Sequence, residues 1–329
     1  MLRAGVRGDL RGRFAAVRVL LLVNPAASSV TTRARVSVEG ILRAAFPTDV
    51  VETTRRGHAT EIARDAIDAG YDVVAVLAGD GTLNETADGL AGSETALAPL
   101  PGGSTNVFAR TLGVAYRPTD AARQLVDALG RHSFRRIGVG AATGPGSAPR
   151  RFLFHLGLGF DAAVIRRMEA RSYLKRHFAH PAFAVATVAT WLRHYDRDLK
   201  IRLAVDTGTG VEVEAVGPYA VISNSDPYTY VGHRRMSIAP AASLSRPLAV
   251  TVLANLGAPL VTRAAGSGVG RATFVSRSPE IVQLADVFRV TVTGDGPIPW
   301  QVDGDYLGEV DRLDVAYEPD ALTLVTPPA

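Results

Sequence analysis

The segment Gly79-Asp80-Gly81-Thr82 follows the apolar run Val73–Leu77 and precedes Leu83-Asn84-Glu85. Glycines at such a bend let the backbone approach phosphate oxygens with no Cβ in the way. The free N–H groups of a helix start then favour negative charge. Thr82 adds a hydroxyl donor. Asp80 would repel phosphate unless it holds a magnesium ion or a water of that ion's shell, which makes it the candidate metal ligand. Glu85 on the first helical turn favours the dipole, and Asn84 lies beside it. The same strand–turn–helix is equally a plain turn capped by Asp or Thr. It is neither a lysine-bearing P-loop nor a GxGxxG dinucleotide loop.

Three further small-residue turns strengthen the phosphate reading. Asn24-Pro25-Ala26-Ala27-Ser28-Ser29 follows the first apolar run, Arg56-Gly57-His58-Ala59 follows Thr53-Thr54, and Pro101-Gly102-Gly103-Ser104-Thr105-Asn106 follows the fourth. If the runs are parallel strands, all four turns share the carboxyl edge, where such sheets bind ligands. Near the C-terminus Asp303-Gly304-Asp305 reads as a hairpin turn that brings two further carboxylates.

The elements that must position these loops alternate in the first third of the chain. Strands are expected at Val17–Val23, Thr48–Thr54, Val73–Leu77 and Ala96–Leu100, and helices at Thr32–Ala45, Ala59–Ala69, Glu85–Ala91 and Thr119–Leu129. That alternation implies a parallel sheet covered by helices. After the turn-rich Gly144–Pro149 the pattern changes to β-branched runs: Phe152–Leu158, Ile201–Val205, Val211–Val216, Tyr219–Ser223, Leu248–Leu253 and Phe288–Thr293. These suggest an antiparallel, β-rich second domain with helices at Ala182–Tyr195 and Val261–Gly270. The expected organisation is α/β followed by β: residues 17–142, then 143–314, with about 315–326 returning to the first domain.

Composition sets limits. The chain has 329 residues, is 47% hydrophobic and contains no cysteine, which excludes disulfides, thiolate catalysis and Cys-based zinc sites. Its histidines lack a convincing ligand spacing, and no Gly-x-Ser-x-Gly nucleophile motif occurs. A net charge of +4 favours anionic partners but is weaker than expected of a dedicated nucleic-acid binder. Arg18 and Asn24-Pro25 interrupt the first apolar run, so it reads as a buried strand rather than a signal peptide, and no stretch has the length of a membrane span.

Taken together, the Gly-Asp-Gly-Thr-Leu-Asn-Glu segment, the early Asn-Pro, the Gly-His-Ala turn and Gly-Gly-Ser-Thr-Asn-x-Phe-Ala-Arg resemble the diacylglycerol kinase catalytic domain, shared by bacterial lipid, sphingosine and ceramide kinases. The resemblance runs from about Val17 to Thr326. It implies a two-domain fold like that of NAD kinases, with the site between the domains. It implies ATP and Mg2+ at Asn24, Thr54, Gly79, Asp80, Gly81, Thr82, Glu85 and Ser104. The flanking Pro25, Gly57, His58, Asn84, Gly103, Thr105 and Asn106 complete the expected nucleotide site. The family's Asp-Gly-Glu acid near the C-terminus maps to Asp305 as proton acceptor, with Asp303 as a rival because aspartate is one methylene shorter than glutamate.

Two departures stand out. Val107 replaces an aspartate common in the family, and Arg246-Pro247 replaces an Asp-Gly pair, so the family's structural magnesium site is expected to be missing. The implied activity is ATP-dependent phosphorylation of a lipid hydroxyl, diacylglycerol first. The alternatives are an NAD kinase and a non-catalytic nucleotide- or lipid-binding homologue. The expected location is the cytoplasm, peripherally attached to the inner face of the membrane. Tyr173–Phe178 and the apolar stretch Phe183–Leu192 are the candidate lipid contact, against the alternative of a core helix with a solvated basic end. A homodimer is allowed but not required.

Overall fold

The computed structural model describes residues 17–169, 199–268, 275 and 277–327. The first half alternates as the sequence suggests: β1 (Val19–Val23), α1 (Thr32–Ala45), β2 (Thr48–Glu52), α2 (His58–Asp68), β3 (Val73–Ala78), α3 (Asp80–Leu90), β4 (Ala96–Pro101), α4 (Val107–Thr111) and α5 (Pro118–Gly130). Strands β2, β1, β3 and β4 pair in parallel in that order. β1 and β3 are buried along their whole length, as strands covered on both faces must be. One face packs Leu20, Val74 and Leu97 against α2 and α3, and the other packs Leu21, Ala75 and Ala98 against α1 and α5.

The second half is antiparallel: β5 (Phe134–Thr143), β6 (Arg150–Phe152), β7 (His155–Gly159), α6 (Phe160–Glu169), β8 (Ile201–Asp206), β9 (Glu212–Gly217), β10 (Tyr219–Ser223), β11 (Thr229–Val231), β12 (Arg234–Met236), β13 (Leu248–Leu253), α7 (Ala258–Gly268), β14 (Ile281–Val287), β15 (Arg289–Val302) and β16 (Asp305–Val325). β16 pairs antiparallel with β15 near its start and then reaches β4, where Leu324 pairs in parallel with Leu97. β5 pairs with β16 along both stretches. One continuous sheet of fourteen strands therefore runs through both halves, with a second apolar core around Leu156, Val250, Val290 and Trp300.

Two local expectations are corrected and one strand is added. The third helix begins at Asp80, not Glu85, so the glycine-bounded aspartate is its first turn: Gly79 is extended, and its carbonyl accepts from Leu83 N at 3.1 Å. The run Phe152–Leu158 is broken into β6 and β7, because the N–H groups of Leu153, Phe154 and His155 all turn towards the carboxylate of Asp303. The added strand, β5, contains Gly138 and Gly140. A Cβ at either position would lie within 2.4 Å of the ring of Tyr317 or Phe152 respectively, so the glycines make room for aromatic rings lying across the strand.

The lipid-contact segment Tyr173–Phe178, the stretch Phe183–Leu192 and the helix expected at Ala182–Tyr195 lie outside the described residues. No helix among the described residues is long and apolar enough to cross a membrane. Arg246 forms a bidentate ion pair with Asp286.

Candidate active site

The carboxyl ends of β1, β3 and β4 and the β15–β16 hairpin surround one cavity of about 550 Å3. Of the residues singled out in the sequence, Asn24, Gly79, Asp80, Gly81 and Thr82 line it from one side. Gly103, Ser104 and Thr105 come from the next loop, and Asp303 and Asp305 from the hairpin. Pro25, Thr54, Gly57, His58, Asn84, Glu85 and Asn106 do not line it; Thr54, Gly57, His58, Asn84, Glu85 and Asn106 make hydrogen bonds that shape the surrounding loops.

Asn24 Nδ2 donates to Thr82 Oγ1 at 2.8 Å, joining the end of β1 to the first turn of α3. Gly103 lies against Gly79: a Cβ on Gly103 would come within 2.7 Å of Gly79 Cα. Asn106, in the left-handed conformation, accepts from Gly103 N and donates to Gly103 O, both at 2.8 Å, which closes the Gly-Gly-Ser-Thr turn. Glu85 accepts from Gly57 N at 2.9 Å, and its carbonyl accepts from Thr60 Oγ1 at 2.8 Å, so it ties α2 to α3 instead of facing the cavity. Thr54 N donates to His58 Nδ1 at 3.2 Å.

Asp80 points across to α4. Its oxygens accept from Val107 N at 2.9 Å and Phe108 N at 3.2 Å, so Val107 contributes through its backbone. Burial pushes the Asp80 carboxyl above the usual range, opposed by those two N–H groups and by the charge of Arg110. Each oxygen has accepted one bond, which leaves lone pairs on both for a cation or its waters. No cluster of three or more His, Asp or Glu among the described residues is placed to hold a metal without help. Asp80 is the residue that could hold a magnesium ion here, and the ion would supply neutralisation of phosphate charge.

The two hairpin acids have different surroundings. Val302 pairs with Asp305, so Asp303 and Gly304 form a two-residue turn, both with positive φ (49° and 87°), as a primed turn requires. Asp303 accepts from Leu153 N, Phe154 N, His155 N and Asn84 Nδ2 at 2.7–3.0 Å. Burial still pushes its carboxyl up to about 7, against the pull of those backbone donors and of Arg150. Asp305 instead forms an ion pair with Arg56 at 3.2 Å, its side chain 23% exposed in the cavity wall. Arg56 stands in the recognised Gly-His turn, yet its pairing across 249 residues leaves no trace in the sequence.

Beyond the expected residues, His155 and Tyr228 also line the cavity, with their rings stacked at 4.1 Å. Burial pushes the His155 imidazole down to about 3, so it is neutral. Tyr228 Oη donates to Asp161 Oδ1 at 2.7 Å, and Gln301 Nε2 donates to Asp161 Oδ2 at 2.8 Å. Burial pushes the Asp161 carboxyl up to about 6, opposed by those two donors. Asp161 and Tyr228 border a second, apolar cavity of about 90 Å3 walled by Phe160, Val164, Leu253 and Ile281. The available signal was a lone acid or amide inside an apolar run, Leu158-Gly159-Phe160-Asp161 and Trp300-Gln301-Val302, since buried polar groups are unusual.

The family model for the diacylglycerol kinase catalytic domain matches residues 18–140, and that for the YegS C-terminal NAD kinase beta sandwich-like domain matches residues 155–326. The chain is 34% identical over 104 residues to a diacylglycerol kinase of Bacillus subtilis (strain 168), covering 31% of this chain and 33% of that protein. It is 33% identical over 100 residues to a diacylglycerol kinase of Staphylococcus saprophyticus, covering 30% and 32%. These matches thus span about a third of the curated relatives' length. A crystal structure of a diacylglycerol kinase from Bacillus anthracis str. Sterne superposes with TM-score 0.72 at 22% identity, covering 95% of this chain and 98% of that one, which establishes likeness of fold.

Proposed function

The chain belongs to the family that joins a diacylglycerol kinase catalytic domain to a YegS-type C-terminal domain, and on that premise we propose that it is an ATP- and Mg2+-dependent lipid kinase whose acceptor is a lipid hydroxyl, diacylglycerol first. The observation that carries the reading is the single cavity shared by Asp80, the Gly79 and Gly103 backbones and Asp305. Residues 17–142 hold the nucleotide in this reading, residues 143–314 hold the acceptor, and 315–326 return to the first half.

Phosphoryl transfer depends mainly on alignment and charge neutralisation. Backbone N–H groups at the start of α3 and of Ser104 and Thr105 bind the phosphates, and the close Gly79–Gly103 approach keeps Cβ atoms out of that space. Magnesium held through Asp80 would supply neutralisation of the phosphate charge. The lipid hydroxyl oxygen attacks the γ-phosphorus; that O–P bond forms as the bond to the β-phosphate oxygen breaks, and ADP leaves. Asp305 takes the hydroxyl proton and returns it to solvent, with Arg56 beside it to steady the carboxylate. Asp303 is the weaker choice of base because four donors already occupy its oxygens. The apolar cavity beside Tyr228 suits part of an acyl chain. An acceptor drawn from a bilayer fits peripheral attachment to the inner face of the membrane.

The test is incubation with γ-labelled ATP, magnesium and a panel of lipids and NAD. Label in a lipid supports the reading. Label in NAD, or ATP binding without transfer, refutes it.

A further inference from the structure

Gln301 is fully buried in β15, directly opposite Gly157 of β7. Its amide is used at both ends. Nε2 donates to Asp161 Oδ2 at 2.8 Å, and Oε1 accepts from Gly304 N at 2.8 Å. Gly304 is the second residue of the hairpin turn and immediately precedes Asp305. Asp161 lies in the first turn of α6 and is itself fixed by Tyr228 Oη.

The surrounding backbone is shaped around this pair. A Cβ on Gly157 would lie 1.7 Å from Asp161 Oδ2 and 2.5 Å from Gln301 Nε2, so only glycine leaves them room. Asp161 also sets which way the amide points. Facing an acceptor, Gln301 must present its NH2 group, which leaves its oxygen for Gly304 N. A neutral apolar residue at 161 would remove that bias and leave the buried NH2 without its partner, at the cost of an unmade hydrogen bond.

We infer that Asp161 and Gln301 are positioning residues: through the Gly304 N–H they fix the turn that carries Asp305 and so aim its carboxylate at the acceptor hydroxyl. Neither touches the reacting atoms. The inference rests on the lipid-kinase reading, with Asp305 as proton acceptor.

The test compares Gln301→Met, Asp161→Ala and Asp161→Asn in the full chain for kcat, for KM towards ATP, for folded fraction and for exchange of the Gly304 amide. Gln301→Met and Asp161→Ala are expected to lower kcat about 10- to 100-fold, the usual penalty for a group displaced by about 1 Å. Their KM for ATP stays within about twofold, and Gly304 exchanges faster. Asp161→Asn keeps an oxygen for Gln301 Nε2 and is expected within about threefold of the parent protein in kcat. Three outcomes overturn the inference: a Gln301→Met protein with unchanged kcat or unchanged Gly304 exchange, a kcat loss matched by equal loss of ATP affinity or folded protein, or Asp161→Asn as impaired as Asp161→Ala. If the parent protein labels no lipid, the kinase reading fails instead, and Gly304 exchange in Gln301→Met still decides whether the link to the turn exists.

Discussion

Asn84 donates a 2.7 Å hydrogen bond to Asp303, joining the phosphate-side helix α3 to a hairpin 219 residues further along the chain. Asn84 is 2% exposed; its other NH donates to Arg151 O at 3.1 Å, and its Oδ1 accepts from Arg150 at 2.6 Å. It latches the two halves of the cleft together and makes no contact with the cavity.

Replacing Asn84 with Ala should therefore lower stability first. It strips Asp303 of one donor and leaves the Arg150 guanidinium without its amide partner, a loss of about 1–3 kcal/mol. Urea unfolding of the parent and Asn84→Ala proteins measures it; an unchanged midpoint would remove the latch from the account.

The two hairpin acids should separate by the kind of damage their loss causes. Asp303→Asn puts an NH2 group where three backbone N–H donors and Asn84 converge, so the protein should unfold about 1–3 kcal/mol more easily. Among the described residues the Asp305 side chain is held by the Arg56 ion pair alone, so Asp305→Asn should keep the melting temperature within a few degrees. Differential scanning calorimetry of both variants reads the contrast directly.

The glycine contact at the phosphate loops predicts an asymmetry. Gly103→Ala drives a methyl to 2.7 Å from Gly79 Cα, whereas Gly79→Ala meets Gly103 Cα at an ordinary 3.5 Å. Gly103→Ala should weaken ATP binding about tenfold or more, equivalent to about 1.4 kcal/mol, and Gly79→Ala much less. Titration calorimetry with ATP–magnesium would expose equal losses, which would mean the steric argument is wrong.

Asp161 makes a signed prediction about pH. The folded chain keeps a proton on it up to about pH 6, and the unfolded chain only to about 3.8. Between those values the folded state binds more protons, so this group's contribution to stability falls as pH rises. Asp161→Asn carries no such penalty. The difference in melting temperature, variant minus parent, should therefore grow in the variant's favour from pH 4 to pH 6.5. A flat difference would place the Asp161 carboxyl in its ordinary range.

Much of this arrangement is legible in the residues. The alternating runs gave β1 to β4, the helix at Thr32–Ala45 has the expected ends, and the loops at Asn24, Gly79 and Gly103 meet where parallel strands end. The family suggested by those loops is the family the comparisons find. What could not be read arises from contacts distant in sequence. β5 was not among the expected strands: its Gly138 and Gly140 make room for rings that come from Tyr317 and Phe152. The break in Phe152–Leu158 is imposed by Asp303, about 150 residues away. Glu85 and Asn106 carry the expected motif positions, yet they brace loops instead of facing the cavity, because a motif records which residues recur and not which way each side chain points.

The most direct test of the central claim compares the parent protein and Asp305→Asn, given γ-labelled ATP, magnesium and diacylglycerol in mixed micelles, with ATP affinity measured alongside. The account predicts labelled phosphatidate from the parent, a rate loss of about 10²–10⁴-fold in the variant, as expected for a missing general base, and matching ATP affinities. Undiminished transfer by Asp305→Asn, or no labelled lipid from the parent across the panel, would contradict it.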